Sequence, residues 1–307
     1  MGELEGTPGG AVSRWSLGED GKAELVEWAS VGSGYPAHLL AVPGQGMLYT
    51  ANYGGSSFSG LQLGPGGELG ELELLETFPQ EGESCRDASH PHQTVARGPW
   101  VWLVDLGCDR IRHYRHTQEE GLQLVGTTEV RAGCGPRHLT LHPSLPLAFL
   151  LCELQSVVQV YGLDEQTGGL SLQQEVELSS TEGDAGAEIL VQGDFVYATS
   201  RGSGVLVVYR LQETGLLTRL QELVLAGSWP RSLALRGGLG AVVDQFGDTL
   251  QLLLVDESTG LVTGAGTVAT PPGPAFVHFI ASDNPNVSTI ILEHWDTFWT
   301  LLGSIWL

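Results

Sequence analysis

The sequence predicts an all-β chain folded as a β-propeller, and three observations carry that expectation. The first is a repeat of roughly 45 to 55 residues, the spacing of a propeller blade built from short strands. The second is the grammar inside each repeat: a short strand opened by proline and polar groups, a turn, and an apolar strand ending on a polar residue. Gly135-Pro136-Arg137-His138-Leu139-Thr140-Leu141, followed by Ala148-Phe149-Leu150-Leu151-Cys152-Glu153, is the clearest copy. The third is glycine, 43 of 307 residues, about twice the ordinary share, as expected when a tight turn follows every few residues.

In chain order, the run from Gly9 to Leu17 reads as a strand, Gly18-Glu19-Asp20-Gly21 as its turn, and Glu24 to Ser30 as a weaker second strand. Blade-like units then open near Tyr35, His90, Gly135, Ala187 and Trp229. Their second strands end at Leu48-Tyr49-Thr50-Ala51-Asn52, Val101-Trp102-Leu103-Val104-Asp105, the Glu153 run, Val196-Tyr197-Ala198-Thr199-Ser200-Arg201 and Ala241-Val242-Val243-Asp244-Gln245. Third strands are plain at Val157–Tyr161 and Val205–Tyr209. Asp164-Glu165-Gln166-Thr167-Gly168-Gly169 and Asp256-Glu257-Ser258-Thr259-Gly260 read as hairpins with glycine at positive φ. A sixth opening, Gly273 to Phe279, has no continuation of the same kind. The chain therefore divides into a propeller over 1–281 and an atypical tail over 282–307, where Trp295, Trp299 and Trp306 sit on an amphipathic helix or on two strands.

Composition narrows the function. Fourteen basic against 36 acidic residues, a formal charge of −22, speak against nucleic-acid and anionic-membrane partners, which need a basic face. No run has the length of a membrane span, and Met1-Gly2-Glu3-Leu4-Glu5-Gly6 lacks the basic and apolar regions of a signal peptide. Cys85, Cys108, Cys134 and Cys152 form no CxxC pair and no zinc-finger spacing, so they read as reduced thiols of a cytoplasmic protein. Asn286-Val287-Ser288 matches a glycosylation sequon by chance.

Aligning the units brings out polar rings. First strands open with His38, His92, Arg137 with His138, Glu188 and Arg231; second strands end with Asn52, Asp105, Glu153, Arg201 and Gln245. Equivalent positions of successive blades ring the central channel, so these groups are expected to converge at one mouth. Asn52 and Asp105 have a plain alternative as turn caps, and His142 before Pro143 reads as a surface turn residue. His113, His116, His278 and His294 fit no ring. Arg137 and Arg201 occupy ring positions, which speaks against a metal. Buried guanidinium groups with too few anions would cost several kcal/mol, on the order of ~3–5, so an anionic substrate is expected.

The same residues carry a family resemblance. Ala51-Asn52-Tyr53-Gly54-Gly55, His90-Pro91-His92, Asp105-Leu106-Gly107-Cys108-Asp109-Arg110, Gly135-Pro136-Arg137-His138, Cys152-Glu153-Leu154, Ala187-Glu188-Ile189, Ser200-Arg201-Gly202 and Trp229-Pro230-Arg231 occur in family order. In these the chain resembles the lactonase family of seven-bladed β-propellers, which includes bacterial-type 6-phosphogluconolactonases and muconate cyclases. The resemblance implies a seven-bladed propeller whose first blade is incomplete here, with Glu3 to Gly10 in the middle of that blade. It also implies a site built from His92, Arg137, Glu153 and Arg201, with His38, Asn52, Asp105, His138, Glu188, Arg231 and Gln245 as substrate-binding candidates.

The expected activity is metal- and cofactor-independent hydrolysis of a small anionic sugar lactone such as 6-phosphogluconolactone, in carbohydrate metabolism. Either Glu153 or His92 serves as base, since cations beside a carboxylate weaken it as a proton acceptor. Arg137 and Arg201 hold the substrate anion and the developing oxyanion. Two alternatives stand beside this reading: a cyclase closing a muconate-type dicarboxylate, and a non-catalytic propeller that binds a partner. Oligomeric state is not legible.

Overall fold

The computed structural model describes residues 9–18, 22–78 and 85–280, together with the backbone of two later strands, Val287–His294 and Leu301–Trp306. The strands form seven antiparallel sheets: one of two strands, five of four and one of three. In the four-stranded sheets the strands pair in chain order, so each blade is a simple meander. Their first strands are Pro36–Val42, Pro91–Arg97, Pro136–Leu141, Gly186–Gln192 and Pro230–Arg236. The two-stranded sheet joins Ala11–Leu17 to Ala23–Ser30, and the three-stranded one joins Pro274–Ile280 to the two later strands. Of the two readings of the tail, strands are therefore the one adopted. Its Trp295, Asp296 and Trp299, Asn286 of the sequon and the segment Glu3-Leu4-Glu5-Gly6-Thr7-Pro8 lie outside the described residues.

Each first strand packs against the first strand of the next blade, which makes it the innermost strand around a central axis. Second strands are the most buried: Met47–Asn52, Trp100–Asp105, Leu147–Cys152 and Phe195–Ser200 are buried at every position. Such strands lie between two neighbours within the blade and between two blades, so both faces are apolar and alternation disappears. Fourth strands alternate instead, as in Leu170–Glu177, because one face meets solvent. The cores sit between blades. Phe149, Leu151, Val158 and Val160 pack with Ile189, Val196 and Val207 of the next blade, and Trp102, Val104 and Ile111 pack with Leu139, Leu150 and Tyr161. Trp102 Nε1 donates to the carbonyl of Gly168 at 2.8 Å, tying one blade to the outer hairpin of the next. That hairpin turns at Gly168 with φ 71, as its sequence requires.

One irregularity recurs and positions everything that follows. Where the first strand pairs with the end of the second, the register slips by one residue, between Pro36 and His38, Pro91 and Gln93, Pro136 and His138, and Pro230 and Ser232. A bulge of this kind re-aims side chains and is common beside functional sites. Two consecutive residues after each proline consequently turn toward the axis at different depths.

The cysteines correct an expectation. Cys85 is bonded to Cys108, and Cys134 to Cys152, so none of the four is a reduced thiol. Spacing alone hid the pairs, because the blade hairpin folds Cys134 back onto the strand end at Cys152, with Cα atoms 5.2 Å apart. The cysteines therefore no longer argue for a reducing compartment. Among the described residues no helix is long and apolar enough to cross a membrane.

Candidate active site

The bulges sort the candidate residues into three groups. At the axis end where first strands begin and second strands finish, Glu153 lies between two guanidinium groups. Arg137 Nε is 3.1 Å from Glu153 Oε2, near enough for an ion pair though not aimed as a hydrogen bond, and Arg201 Nη2 is 2.9 Å from Oε1. Arg137 and Arg201 are buried, while the Glu153 side chain is one-fifth exposed. Arg231 faces them and donates to Gln245 Oε1 at 3.3 Å. Burial, followed by the charges of Arg137 and Arg201, pushes the Arg231 pKa down to about 9. His92 stands beside this group, its ring 5.1 Å from that of His138, and its buried Nδ1 has no hydrogen-bond partner among the described residues. Burial first, and Arg137 second, hold its pKa well below the ordinary imidazole value, so the ring is neutral.

A second group lies one residue further along each first strand and links neighbouring blades. Thr94 N and its hydroxyl approach His38 Nδ1 at 3.5 and 3.3 Å, and Leu139 N donates to Gln93 Oε1 at 2.6 Å. His138 Nδ1 donates to Glu188 Oε1 at 2.6 Å, Ser232 Oγ donates to Glu188 Oε2 at 3.5 Å, and Val277 N donates to Ser232 Oγ at 3.4 Å. The partners set the His138 tautomer: Nδ1 carries the proton toward the carboxylate, and Nε2 accepts from Arg137 Nη1 at 3.3 Å. Arg137 Nη1 also donates to the carbonyl of Ala187. Glu188 and His138 thus hold Arg137 from behind. Burial pushes the His138 pKa down, and burial with its His138 and Arg137 neighbours leaves His38 at about 3.

The third group departs from expectation. Asn52 and Asp105 are fully buried inside their blades and do not reach the mouth. Asn52 Nδ2 donates to Ser57 Oγ and Ser59 Oγ, at 3.0 and 2.7 Å. Asp105 accepts from Ser89 Oγ, His90 N, Cys108 N and Arg112 Nη1, the last at 2.7 Å. They pair with Pro36 and Pro91 as Cys152 pairs with Pro136, whereas Glu153, Arg201 and Gln245 stand one residue later. A shift of one residue in a strand moves a side chain to the other face. The true counterpart of Glu153 in the blade that opens at Pro36 is Tyr53, which sequence reasoning passed over. Its ring stacks on His90 at 4.4 Å and meets the His92 edge at 5.8 Å. Counting from each proline, rather than matching polar character, was the signal that pointed to it. His142 is also buried rather than on the surface, where its Nδ1 accepts from Ser144 N and Leu145 N to close the turn.

Around the mouth, among the described residues, the Arg137, Arg201 and Arg231 guanidinium groups stand with the Glu153 and Glu188 carboxylates and neutral imidazoles, inside a chain of net charge −22. Such a cluster receives an anion and stabilises charge that develops on an oxygen. Among the described residues no group of three or more His, Cys, Asp or Glu side chains is arranged to hold a metal ion. A separate groove of about 520 Å³, lined by Gln45, Gln62, Glu68, Glu73 and His116 among others, shares no residue with the mouth and contains no guanidinium.

Comparison with known proteins bears on the fold and the family. The family model described as "Lactonase, 7-bladed beta-propeller" matches residues 3–279. The chain is 28% identical over 291 residues to the 6-phosphogluconolactonase of Pectobacterium carotovorum subsp. carotovorum, covering 89% of this chain and 82% of that one. Among solved structures it is similar to a Lactobacillus plantarum protein, with a TM-score of 0.80, 26% identity, and coverage of 88% of this chain and 81% of that one. It shares its fold with the periplasmic gluconolactonase of Pseudomonas aeruginosa, with a TM-score of 0.81, 22% identity, and coverage of 88% and 80%.

Proposed function

The chain belongs to the lactonase family of seven-bladed β-propellers, and from that premise we propose that it hydrolyses a small anionic sugar lactone, of the 6-phosphogluconolactone type, at the channel mouth. The observation that carries the reading is Glu153 held between Arg137 and Arg201 with Arg231 beside them. A phosphate or carboxylate on the substrate pairs with this guanidinium cluster, and the lactone carbonyl then lies among groups able to act on it.

Of the two candidate bases, Glu153 suits the role better. His92 is a poor proton acceptor, because burial and Arg137 disfavour its imidazolium; guanidinium groups also flank Glu153, and what separates the two is access to solvent. Glu153 keeps an open side toward solvent, through which a water is within reach. Glu153 takes a proton from that water as the oxygen attacks the carbonyl carbon. The tetrahedral oxyanion is stabilised by a guanidinium, and collapse breaks the bond to the ring oxygen, which leaves with the proton returned from Glu153. The scheme requires no metal and no cofactor. His92, with Nδ1 unpartnered, is placed as a hydrogen-bonding group for the substrate.

The test is acid release from freshly generated 6-phosphogluconolactone near neutral pH, with the spontaneous rate subtracted. Loss of a general base lowers turnover by about 10²–10⁴-fold, so Glu153→Gln is expected to fall by at least ~100-fold while its melting temperature stays within a few degrees. Turnover unchanged in Glu153→Gln removes Glu153 from the role. No turnover by the cooperatively folded wild-type protein refutes the reading and favours a binding module. Turnover on a muconate-type dicarboxylate instead favours the cyclase.

A further inference from the structure

At the rim each blade presents two residues that face each other: the one just before its inner strand, and the second one after its second strand. Counting only the four-stranded blades, in the first these are Tyr35 and Gly54, where a Cβ on Gly54 would meet the Tyr35 side chain at 2.7 Å. In the second they are His90 and Gly107, with a Cβ on Gly107 only 2.9 Å from the His90 ring. In the third they are Gly135 and Leu154, where a Cβ on Gly135 would lie 2.6 Å from the leucine. The fourth has Ala185 and Gly202. In each of these blades at most one sizeable side chain covers a small partner. The fifth blade carries two aromatics, Trp229 and Phe246, with ring centroids 5.2 Å apart and planes inclined by 33°. Neither covers a glycine, and Phe246 is 67% exposed.

Trp229 also occupies a backbone position that does not suit it. Its φ is 68°, directly before Pro230; the same turn position is filled by Gly135 at 62° and Gly273 at 68°, and by one other aromatic, Tyr35 at 52°, which lies over Gly54. A bulky residue there costs on the order of 1–3 kcal/mol, and strain of this kind collects at ligand sites. A following proline restricts the residue further. What the position achieves is visible in its neighbours. The Arg201 guanidinium lies 5.4 Å from the Trp229 ring centroid, and Arg231, two residues along, is the third cation of the mouth.

We infer that Trp229 and Phe246 form a stacking shelf for the ring of the ligand whose anionic group lies on Arg201 and Arg231, so that this subsite selects pyranose-sized cyclic anions over compact ones. The inference rests on the proposed reading of the mouth and deepens it. A sugar or lactone ring presents a face of C–H groups that packs on an aromatic plane and covers the apolar surface Phe246 leaves in water. The compact anion receives the charge contacts alone.

The test measures binding without turnover: calorimetric titration of the wild-type protein, Phe246→Ala and Trp229→Gly with glucose 6-phosphate and with inorganic phosphate. Wild type is expected to bind glucose 6-phosphate at least ~10-fold more tightly than phosphate, a difference of about 1.4 kcal/mol. Both variants should bring the ratio within about threefold, with phosphate affinity unchanged and the melting temperature of Trp229→Gly undiminished, because glycine relieves the strain. Equal affinities in wild type, no binding of either probe, or a ratio that survives both substitutions overturns the shelf. A fall of melting temperature in Trp229→Gly with the ratio intact does so as well, by making the tryptophan structural. Lactone hydrolysis is measured separately, so its absence beside a tenfold wild-type ratio that both substitutions abolish refutes the reaction and not the shelf.

Discussion

Acidification from pH 7.5 to pH 5 should destabilise this protein through His38, and the size of the loss follows from its surroundings. Burial, and then the neighbouring His138 with a smaller contribution from Arg137, hold the folded-state pKa at about 3, against 6.5 for the free side chain, while Glu188 pulls weakly the other way. A folded pKa below the unfolded one means that unfolding takes up a proton. The contribution is complete above pH 6.5 and drains away as the pH falls toward 3. At pH 5 the gap is about 1.5 units, or roughly 2 kcal/mol at 1.36 kcal/mol per unit. That is an upper figure, since His38 is only partly buried. With an unfolding entropy of about 2.1 cal/mol/K per residue over 307 residues, it is worth roughly 3 °C of melting temperature. The assay is urea unfolding at several pH values between 5 and 6.5, a window above most carboxylate titrations, with the slope of stability against pH read as protons taken up. His38→Gln should lower that uptake by close to one proton. An unchanged uptake would refute a neutral, desolvated His38.

Three further outcomes follow from the same contacts. Asp105→Ala strips Arg112 of its buried carboxylate and leaves Ser89 and the amide of His90 unpaired, so a loss of about 3–5 kcal/mol in urea unfolding is expected. Turnover per folded molecule should survive within a few-fold, and a 100-fold loss would return Asp105 to the substrate site. Replacing both Cys134 and Cys152 by serine opens a link across 18 residues of chain. That should cost about 3 kcal/mol and lower turnover too, because Glu153 directly follows Cys152 and its amide donates to the carbonyl of Gly135, next to Cys134. An unaltered urea midpoint would show that the bond carries no stability. Glu188→Gln removes the charge that fixes His138 behind Arg137; kcat should drop about tenfold with KM nearly constant, and a change in KM alone would make Glu188 a substrate contact.

Much of this molecule was legible from its residues. The Pro-x-His and Pro-Arg openings recur at blade spacing, and each repeat must bury its own second strand between neighbours, so the architecture follows from local pattern. Arg137, Glu153 and Arg201 were identifiable as a group because buried cations and a carboxylate at matching repeat positions have few other uses. The exposed aromatics of the fifth blade were visible too, as letters in Trp229-Pro230-Arg231 and Gln245-Phe246, without anything to mark them as a pair.

What tertiary structure alone decided is which way each polar residue faces, and the physical reason is the two-residue period of a strand. Asn52 and Glu153 are both polar strand ends, yet one residue of offset turns Asn52 into the blade and leaves Tyr53 at the mouth. The bulge near the start of each inner strand separates His92 and Arg137 from His38 and Glu188, and a proline in the sequence marks where to count from without stating that the register slips there. Contacts such as His138 with Glu188, or Cys134 with Cys152, join residues that the chain separates by 50 and 18 positions. They form because consecutive blades pack side by side around a central axis, and until that packing the sequence holds the partners without stating the pairing.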